Sequence, residues 1–442
     1  MTNEHPGTGW AEEALGLLFG RVAETAEQVG DRFPLYADPA DGRWTTTGRG
    51  SWTGGFWAGL LRLRALHTGS GADRARATAA TARLAPWIEA DTATRGLILW
   101  YGTALADEGE EADTGQGAAT RVGEAPEHDQ AAEAAATAAE ATAPDVTAAP
   151  DVTAVGSGCS AGGGKDGDGY GDEHDRRRAE VAAVGGMRER AAEAVLAGFD
   201  PVLGLVPWGS AFDGVRLRAR ADGVPGLVPL LAAAGLEGRE AAAAHLHRHL
   251  DLCLPRTAAR RPVPAWRRDA AGGWRAEAEP APGWTRGEAW LLLAVADALK
   301  SASPGDHATW RVGRLTVAAE LLLQSCAFLT GPLVPPAEAH RPDGPSDTSA
   351  AAITAVALLK LAQVPGAAWA SVCAVRAEAV LRRLASHAHL TRPVGSLPAG
   401  MLLDGCYDPH GGTAVRHELV WGDYFLALGL AALLGRVDLR RV

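Results

Sequence analysis

Apolar residues recur at helical spacing along almost the whole chain. They fall three or four positions apart, which gathers them on one face of an α-helix. This spacing predicts helices over twelve segments, which are 11–28, 55–68, 72–89, 95–106, 180–198, 224–235, 238–253, 286–301, 308–328, 348–362, 367–386 and 417–434. Alternation with the strand period of two is scarce, and only 204–208 and 263–279 are predicted as short hairpin-like segments.

These helices, without a sequence repeat of fixed period, indicate a ring of helical hairpins rather than a solenoid. We therefore predict an all-α protein with an (α/α)6 barrel, a toroid of six hairpins. In such a barrel, alternate loops gather at one end. Aromatic, acidic and basic residues in those loops would then surround one cavity, the usual place for a ligand.

Residues 107–178 interrupt this pattern. The segment is rich in Ala, Gly, Asp, Glu and Thr and has almost no large apolar residues, so it cannot bury enough surface to offset the entropy of ordering. The near-duplicate APDVTA at 143–148 and 149–154 is typical of low-complexity sequence. We predict a disordered low-complexity insertion at 107–178 within a single barrel domain made of 1–106 and 179–442.

Charge and composition exclude several classes of partner. The 442 residues carry a formal net charge of −11 and no long basic block, which argues against nucleic acid as a partner. No apolar stretch is long enough to span a membrane, and the N-terminus lacks the features of a secretion signal. The five cysteines are scattered and form no CxxC pair, which is typical of a reducing compartment. We therefore predict a soluble cytoplasmic protein with no membrane partner and of unknown oligomeric state.

The stretch SWTGGFWAG, at 51–59, sets three large rings among small residues just before a helix. A core-packing role for Trp52 is one interpretation, because aromatic residues are mostly buried. The other is a ring face presented to a sugar, since Gly54 and Gly55 would let a ligand approach the backbone closely.

Three further stretches combine acidic or basic side chains with an apolar helix. Asp222 precedes a GVPG turn, and Asp423 lies in the last predicted helix. Arg286 stands two residues before Glu288 at the start of another helix. Taken singly, these residues fit an N-cap, a structural hydrogen-bond partner and a weak surface ion pair.

Taken together, the stretches resemble a known family. WTGGFWAGLLRLRALHTG, WTRGEAW, DTSAAAITAVALLKLA and VWGDYFLALGLAAL occur in this order between about Trp44 and Gly435. They are similar to family 88 of the glycoside hydrolases, the unsaturated glucuronyl hydrolases. The related family 105, the unsaturated rhamnogalacturonyl hydrolases, shares the barrel and a WGDYF-like motif, but the RGEAW form is more similar to family 88.

The resemblance implies an (α/α)6 barrel that acts on short oligosaccharides with a terminal 4,5-unsaturated uronic acid. In this family an Asp protonates C4 of the vinyl ether, water adds at C5, and the resulting hemiketal opens to release the aglycone. One carboxyl group serves as acid and then as base. The resemblance therefore implies no metal and no cofactor.

The resemblance also assigns roles by position in the motifs. It implies that Asp222 is the acid and base and that Arg286 and Trp290 line the pocket of the uronate. A guanidinium suits this role because it donates two parallel hydrogen bonds to a carboxylate. Trp52 falls where the family presents a ring to the sugar, and Asp423 would support the site from behind.

The pattern departs from the family at one carboxylate. The family's second Asp, in a His-Asp-x-Gly-Phe motif, is replaced by Thr94 in DTATRGLILWYG, and Asp91 lies three residues too early to take its role. Two functions therefore remain open. One is a divergent hydrolase, and the other is a carbohydrate-binding or scaffold protein without turnover.

Another barrel of this type, the lanthionine cyclases, would need a zinc site. The only candidate is HLHRHLDLC, in which His245 and His249 share a helix face that Cys253 extends. Such a cluster is specific for zinc only when partner ligands stand elsewhere in the chain. A helix surface with a buried thiol is the simpler interpretation, and we predict no metal site.

Overall fold

A computed structural model describes residues 7–106, 169–212, 214–394 and 396–442 of the chain. Twelve helices in this part carry the architecture. Their bounds are α1 Gly9–Val29, α2 Gly54–Thr68, α3 Gly71–Ala82, α4 Gly96–Trp100 continued by Tyr101–Thr103, α5 Gly169–Ala197, α6 Leu227–Ala232, α7 Gly235–Cys253, α8 Thr285–Ser301, α9 Val312–Ser325, α10 Thr348–Leu361, α11 Ala370–Leu384 and α12 Val420–Leu433. Each predicted helix corresponds to one of them.

The even-numbered helices form an inner ring. Around this ring α2 packs on α4, α4 on α6, α6 on α8, α8 on α10, α10 on α12, and α12 again on α2. Odd-numbered helices pack on their sequence neighbours from outside this ring, as α3 does on α2, α7 on α6, α9 on α8 and α11 on α10. The fold is an (α/α)6 barrel, as predicted from the sequence.

The apolar patterns of the helices explain which ones lie inside. Every residue of α8 from Thr285 to Leu299 is buried, because a helix that is apolar on nearly all sides is stable only when it is surrounded. The outer helix α11 has charged residues on its exposed face. It buries a single stripe, made of Cys373, Ala377, Val380, Leu381 and Leu384.

Aromatic rings from four inner helices fill the middle of the barrel. The ring of Phe56 in α2 lies 5.2 Å from that of Tyr101 in α4 and 6.2 Å from that of Trp290 in α8, between centroids. Tyr424 and Phe425 of α12 pack against the same ring. All five side chains are buried. We call these five residues the aromatic plug, and they close the centre of the barrel.

Close packing between α2 and α4 explains the glycines of SWTGGFWAG. A methyl group on Gly55 would lie 2.2 Å from the carbonyl oxygen of Ile98 and 2.4 Å from that of Leu97. Such contacts require a residue without a side chain. A methyl group on Gly54 would also meet a neighbouring side chain at 2.8 Å. The two glycines after Trp52 thus allow helix packing rather than the approach of a ligand.

Two small antiparallel sheets accompany the helices in the described residues. Their strands are β1 Phe33–Ala37, β2 Trp44–Thr47, β3 Arg218–Arg220, β4 Ala265–Arg268, β5 Trp274–Ala276, β6 Gly405–Asp408 and β7 Thr413–Leu419. The first sheet has the order β2-β1-β7-β6, with Tyr36 opposite Leu419. The second has the order β3-β4-β5, with Ala219 opposite Trp266. Both sheets lie in the connections that precede inner helices.

The structure corrects two of the strand and helix predictions. The hairpin predicted at 263–279 is confirmed by β4 and β5, but 204–208 forms no strand. The Asp200 carboxylate accepts hydrogen bonds from the backbone two and three residues further on and holds a turn at 201–204. After it, Leu205 forms an isolated bridge with Asp200 and 206–208 is irregular. The last helix begins at Val420 rather than at position 417, because Thr413–Leu419 forms β7.

Two helix boundaries also differ from the prediction. The outer helix α3 is shorter than predicted, because Pro86 lacks a backbone N–H and a 3-10 turn over Ala85–Trp87 replaces its last residues. Helix α5 begins at Gly169, inside the predicted insertion, in a run that contains the good helix formers Glu, Arg and Ala. The rest of the predicted insertion, 107–168, lies outside the described residues.

Two further sequence features can be compared with the structure. The four described cysteines are buried and form no disulfide, and they are Cys253, Cys326, Cys373 and Cys406. Among the helices of the described ranges, none combines the length and the apolarity that a membrane crossing requires.

Candidate functional site

A cavity of about 590 Å³ opens at the end of the barrel where the inner helices begin. Each of the six segments that lead into an inner helix contributes a residue to the cavity wall. These residues are Trp52 before α2, Thr94 before α4, Asp222 before α6, Trp284 before α8, Glu338 before α10 and Tyr407 before α12. The volume is that of an ordinary small-ligand site.

Trp52 forms one wall of this cavity. Its ring lies 4.8 Å from that of Trp421 and 6.0 Å from that of Tyr407, between centroids. Its Nε1 donates a hydrogen bond to the Tyr407 hydroxyl at 3.2 Å. Phe56 and Trp57, from the same stretch, are buried core residues. Trp52 is therefore the ring of SWTGGFWAG that faces the cavity.

Asp222 lines the cavity from a 3-10 turn, Ala221–Gly223, between β3 and α6. Arg220 donates hydrogen bonds to both carboxylate oxygens, from Nε to Oδ1 at 2.9 Å and from Nη2 to Oδ2 at 3.0 Å. The Arg220 guanidinium also stacks over the Trp208 ring, 4.7 Å from its centroid. The Asp222 side chain does not cap α6, so the N-cap interpretation is wrong. The two hydrogen bonds between Arg220 and Asp222, together with the contact of the guanidinium with the Trp208 ring, hold both charged side chains in one orientation.

A buried histidine fixes the turn that carries Asp222. His245 Nδ1 accepts a hydrogen bond from the backbone N–H of Val206 at 3.0 Å, and its Nε2 lies 3.2 Å from the carbonyl oxygen of Gly223. These contacts fit a neutral ring with its proton on Nε2. Burial lowers the pKa of His245 well below its ordinary value, which agrees with that form.

The row of residues considered for zinc is engaged with the protein instead. His249 Nδ1 donates a hydrogen bond to the carbonyl oxygen of His245 at 2.8 Å. Burial lowers the pKa of His249 to about 4 and raises that of Cys253 to about 12. In the described residues no three His, Cys, Asp or Glu side chains are grouped so that they could hold a metal ion.

Arg286 lines the cavity from the first turn of α8, but its guanidinium is tied to the barrel wall. Nη1 donates a hydrogen bond to Asp347 Oδ2 at 2.7 Å, and both Nη atoms donate to the backbone carbonyl oxygens of Cys406 and Tyr407. Asp347 is fully buried and also caps α10. The interpretation of Arg286 and Glu288 as a surface pair is wrong, because both are buried and have other partners.

Thr94 lines the cavity where the resemblance places a second carboxylate in the family. Its hydroxyl lies 2.9 Å from that of Thr92, so this part of the wall is polar but does not titrate. Asp91 is not a lining residue. Its Oδ2 accepts hydrogen bonds from Ser210 and Arg216 outside the cavity.

Trp290 and Asp423 occupy different depths of the barrel. Trp290 lines the cavity and belongs to the aromatic plug, so it forms the floor. Asp423 is buried in α12 and does not line the cavity. Burial and the nearby Glu418 carboxylate raise the pKa of Asp423 well above its ordinary value. Glu418 is itself held by Arg21 at 2.7 Å.

Several lining residues were missed by sequence reasoning. Glu338 and His410 lie in irregular loops that have no periodicity to place them, and Glu338 is held by a β-bridge to Trp284. For Arg220, by contrast, the sequence did contain a signal that could have placed it beside Asp222. It stands two residues before Asp222, at the end of a strand, and that spacing can put two side chains on the same face.

No protein-family model matches the sequence, and no curated protein matches it. Solved structures do match along most of the chain. A UGL variant with dGlcA-Glc-Rha-Glc is 19% identical, with 96% of each chain covered and a TM-score of 0.69. The unsaturated glucuronyl hydrolase of Bacillus sp. GL1, responsible for the degradation of glycosaminoglycan, is 19% identical, with 96% of each chain covered and a TM-score of 0.67.

A third match is an unsaturated glucuronyl hydrolase specific for heparin. It is 17% identical, with 98% of this chain and 100% of that chain covered and a TM-score of 0.67. At such identities the likeness establishes the fold, and function depends on the side chains of the site. The matched folds agree with the (α/α)6 barrel built from the helix contacts.

Proposed function

We propose that this chain is a glycoside hydrolase that releases a terminal 4,5-unsaturated uronic acid from short oligosaccharides by hydrating the C4=C5 bond. The observation that carries the proposal is Asp222 in the wall of an aromatic-lined cavity of about 590 Å³. The matched glucuronyl hydrolase structures, one with dGlcA-Glc-Rha-Glc, support a carbohydrate ligand. The cytoplasmic location predicted from the sequence is part of the proposal.

In this mechanism Asp222 donates a proton to C4 and takes one from the water that adds at C5. The hemiketal opens and frees the aglycone. Trp52 offers its ring face to the apolar face of the sugar, and Trp290 forms the floor beneath it. Arg286 shapes the wall beside the uronate through its bonds to neighbouring carbonyl oxygens. Asp423 supports this end of α12 from the interior.

The alternative is a carbohydrate-binding protein of the same fold that has no turnover. Two observations favour it. Thr94 cannot supply a second carboxylate, and Arg220 engages both oxygens of Asp222. This alternative predicts that saccharides bind while their double bond persists.

The test follows the ultraviolet absorbance of the conjugated uronate in unsaturated disaccharides from chondroitin, heparin and pectin-type digests. We expect decay with the wild type and a loss of about a hundredfold or more in Asp222→Asn. Asp91→Asn makes the same change at an ion-paired Asp outside the cavity and should leave the decay intact. Saturable binding without decay would establish the binding protein, and equal decay in Asp222→Asn and wild type would remove Asp222 from the chemistry.

A further inference from the structure

Arginine side chains line the cavity at three positions in the described part of the chain, Arg218, Arg220 and Arg286. Two of them pair with carboxylates that do not line it. Arg286 holds Asp347 at 2.7 Å, and Arg218 holds Glu277 at 3.0 Å. A ligand could take Arg286 only by leaving the buried Asp347 carboxylate unpaired, which is strongly destabilising. It could take Arg218 only by leaving the half-buried Glu277 carboxylate without its partner.

Arg220 differs because its partner faces the same cavity. Asp222 takes the Nε and Nη2 donors of Arg220, and Nη1 has no hydrogen-bond partner among the described residues. The Trp208 ring under the guanidinium supports it independently of Asp222. The planar fork is therefore already oriented for another carboxylate. If that carboxylate belongs to a ligand, Asp222 is released into the cavity rather than behind the wall.

We propose that Arg220 recognises the substrate carboxylate, and that binding exchanges its partner from Asp222 to the substrate. This inference rests on the proposed function and adds a recognition residue and an activation step to it. Once Arg220 has turned to the substrate, Asp222 has lost its counter-charge beside the bound uronate. That setting favours the protonated carboxyl group, which is the form needed to donate a proton to C4.

The protons balance over one cycle. Asp222 takes one proton from water as its ion pair opens, and donates it to C4. The water that adds at C5 gives one proton to Asp222, so the net change is one water molecule added across the double bond. When the product leaves, Asp222 returns this proton to the solvent and pairs again with Arg220.

The test compares an unsaturated uronyl disaccharide with its methyl ester, which removes the charge and keeps the double bond. Calorimetry gives Kd for each form, and ultraviolet decay gives kcat and KM. We expect the wild type to prefer the free carboxylate by about tenfold or more, and Arg220→Gln to bind both forms alike. Arg267→Gln, at an exposed position of the neighbouring strand β4 that does not line the cavity, is the matched control and should keep the preference.

Two further readouts separate recognition from folding. In Arg220→Gln, Asp222 already lacks its counter-charge, so KM for the free acid should rise more than kcat falls. Arg220→Lys keeps the charge without the two-point fork, and it should retain part of the preference. Thermal unfolding of each variant checks that the barrel is intact.

The outcomes for the two proposals are distinguishable. A preference that survives in Arg220→Gln, or that disappears equally in Arg267→Gln, overturns the role of Arg220 even if the double bond is hydrated. An Arg220-dependent preference without any decay supports the recognition step and overturns the hydration. No binding of either form by the folded wild type overturns both.

Discussion

His410 Nε2 and Glu338 Oε1 lie 2.8 Å apart, in a hydrogen bond between two loops that line the same cavity. Glu338 is buried, and it also lies 3.3 Å from Arg341 and 3.8 Å from His340. The loop before α10 is thereby attached to the loop before α12. Polar contacts around the Glu338 carboxylate therefore hold these two loops of the cavity wall in place.

Removing the charge of Glu338 should weaken the contacts between these two loops without stopping the proposed hydration reaction. For Glu338→Gln we expect KM for an unsaturated disaccharide to rise by about threefold to tenfold, because the loop contacts weaken, with kcat nearly unchanged. Steady-state kinetics measures this. Glu378→Gln, which alters an exposed pair with Arg382 on α11, is the control and should leave both constants as they are. A large loss of kcat at constant KM in Glu338→Gln would instead give Glu338 a part in the reaction.

Glu288 predicts a pH dependence of stability. Burial raises its pKa from 4.5 to about 7, and the nearby Arg261 offsets only part of this shift. The pKa of Glu288 is higher in the folded protein than in the unfolded chain, so the folded state binds this proton more tightly. The resulting stabilisation of the folded state is complete below about pH 4.5 and is lost as the pH rises through about 7. The loss amounts to about 3 kcal/mol in the free energy of unfolding.

Urea unfolding of the wild type and Glu288→Gln across this pH range checks the prediction. The stability of the variant relative to the wild type should increase from acid to neutral pH, since glutamine does not titrate. The prediction concerns how the difference in unfolding free energy changes with pH. Losing the contact with Arg261 adds the same amount at every pH and therefore does not affect this change. A difference that stays constant with pH would contradict it.

His245→Ala should destabilise the barrel and displace the turn that carries Asp222. The substitution leaves a cavity and removes the partners of the Val206 N–H and the Gly223 carbonyl oxygen, which together cost about 2–4 kcal/mol. His387→Ala, at an exposed position, should change stability by less than about 0.5 kcal/mol. Denaturant unfolding compares the two, and equal stabilities would refute the role given to His245.

Gly55→Ala should destabilise the protein by about 2 kcal/mol or more, because its methyl group meets the backbone of α4. Gly16→Ala makes the same change in α1 with nothing within 4 Å, and it should stabilise by about 0.5–1 kcal/mol. Thermal melting of the pair gives opposite signs if the packing of α2 on α4 is as described. A neutral Gly55→Ala would show that the two helices can separate at little cost.

Much of the barrel was predictable because its helices obey local rules. The stretch from Thr285 to Leu299 is apolar on nearly every side, and Asp347 before Thr348 is a good N-cap, so α8 and α10 are visible in the sequence. The sheet that includes β7 was missed because Thr413–Leu419 runs directly into α12 without a break. Its pairing with Tyr36 depends on contact across the chain, which local periodicity does not encode.

The candidate site was predictable only where a motif carried it. Trp52 and Asp222 were named from their stretches, and both line the cavity. The partner of Arg286 is Asp347, 61 residues further on, and no spacing rule connects them. Arg220 was missed although its spacing to Asp222 was informative, because sequence reasoning treated Asp222 as an isolated carboxylate.

The aromatic plug gives the barrel a blind end. With Trp290 as the floor and Phe56, Tyr101 and Phe425 packed around it, buried rings close the centre of the barrel. In the proposed function, a saccharide would therefore enter tip first and leave the rest of its length in solvent. For the proposed hydrolase, the rate would follow the molar concentration of chain termini rather than the mass of polysaccharide. Cutting a polymer into shorter pieces would create more termini and so increase the rate at which the hydrolase degrades the pieces.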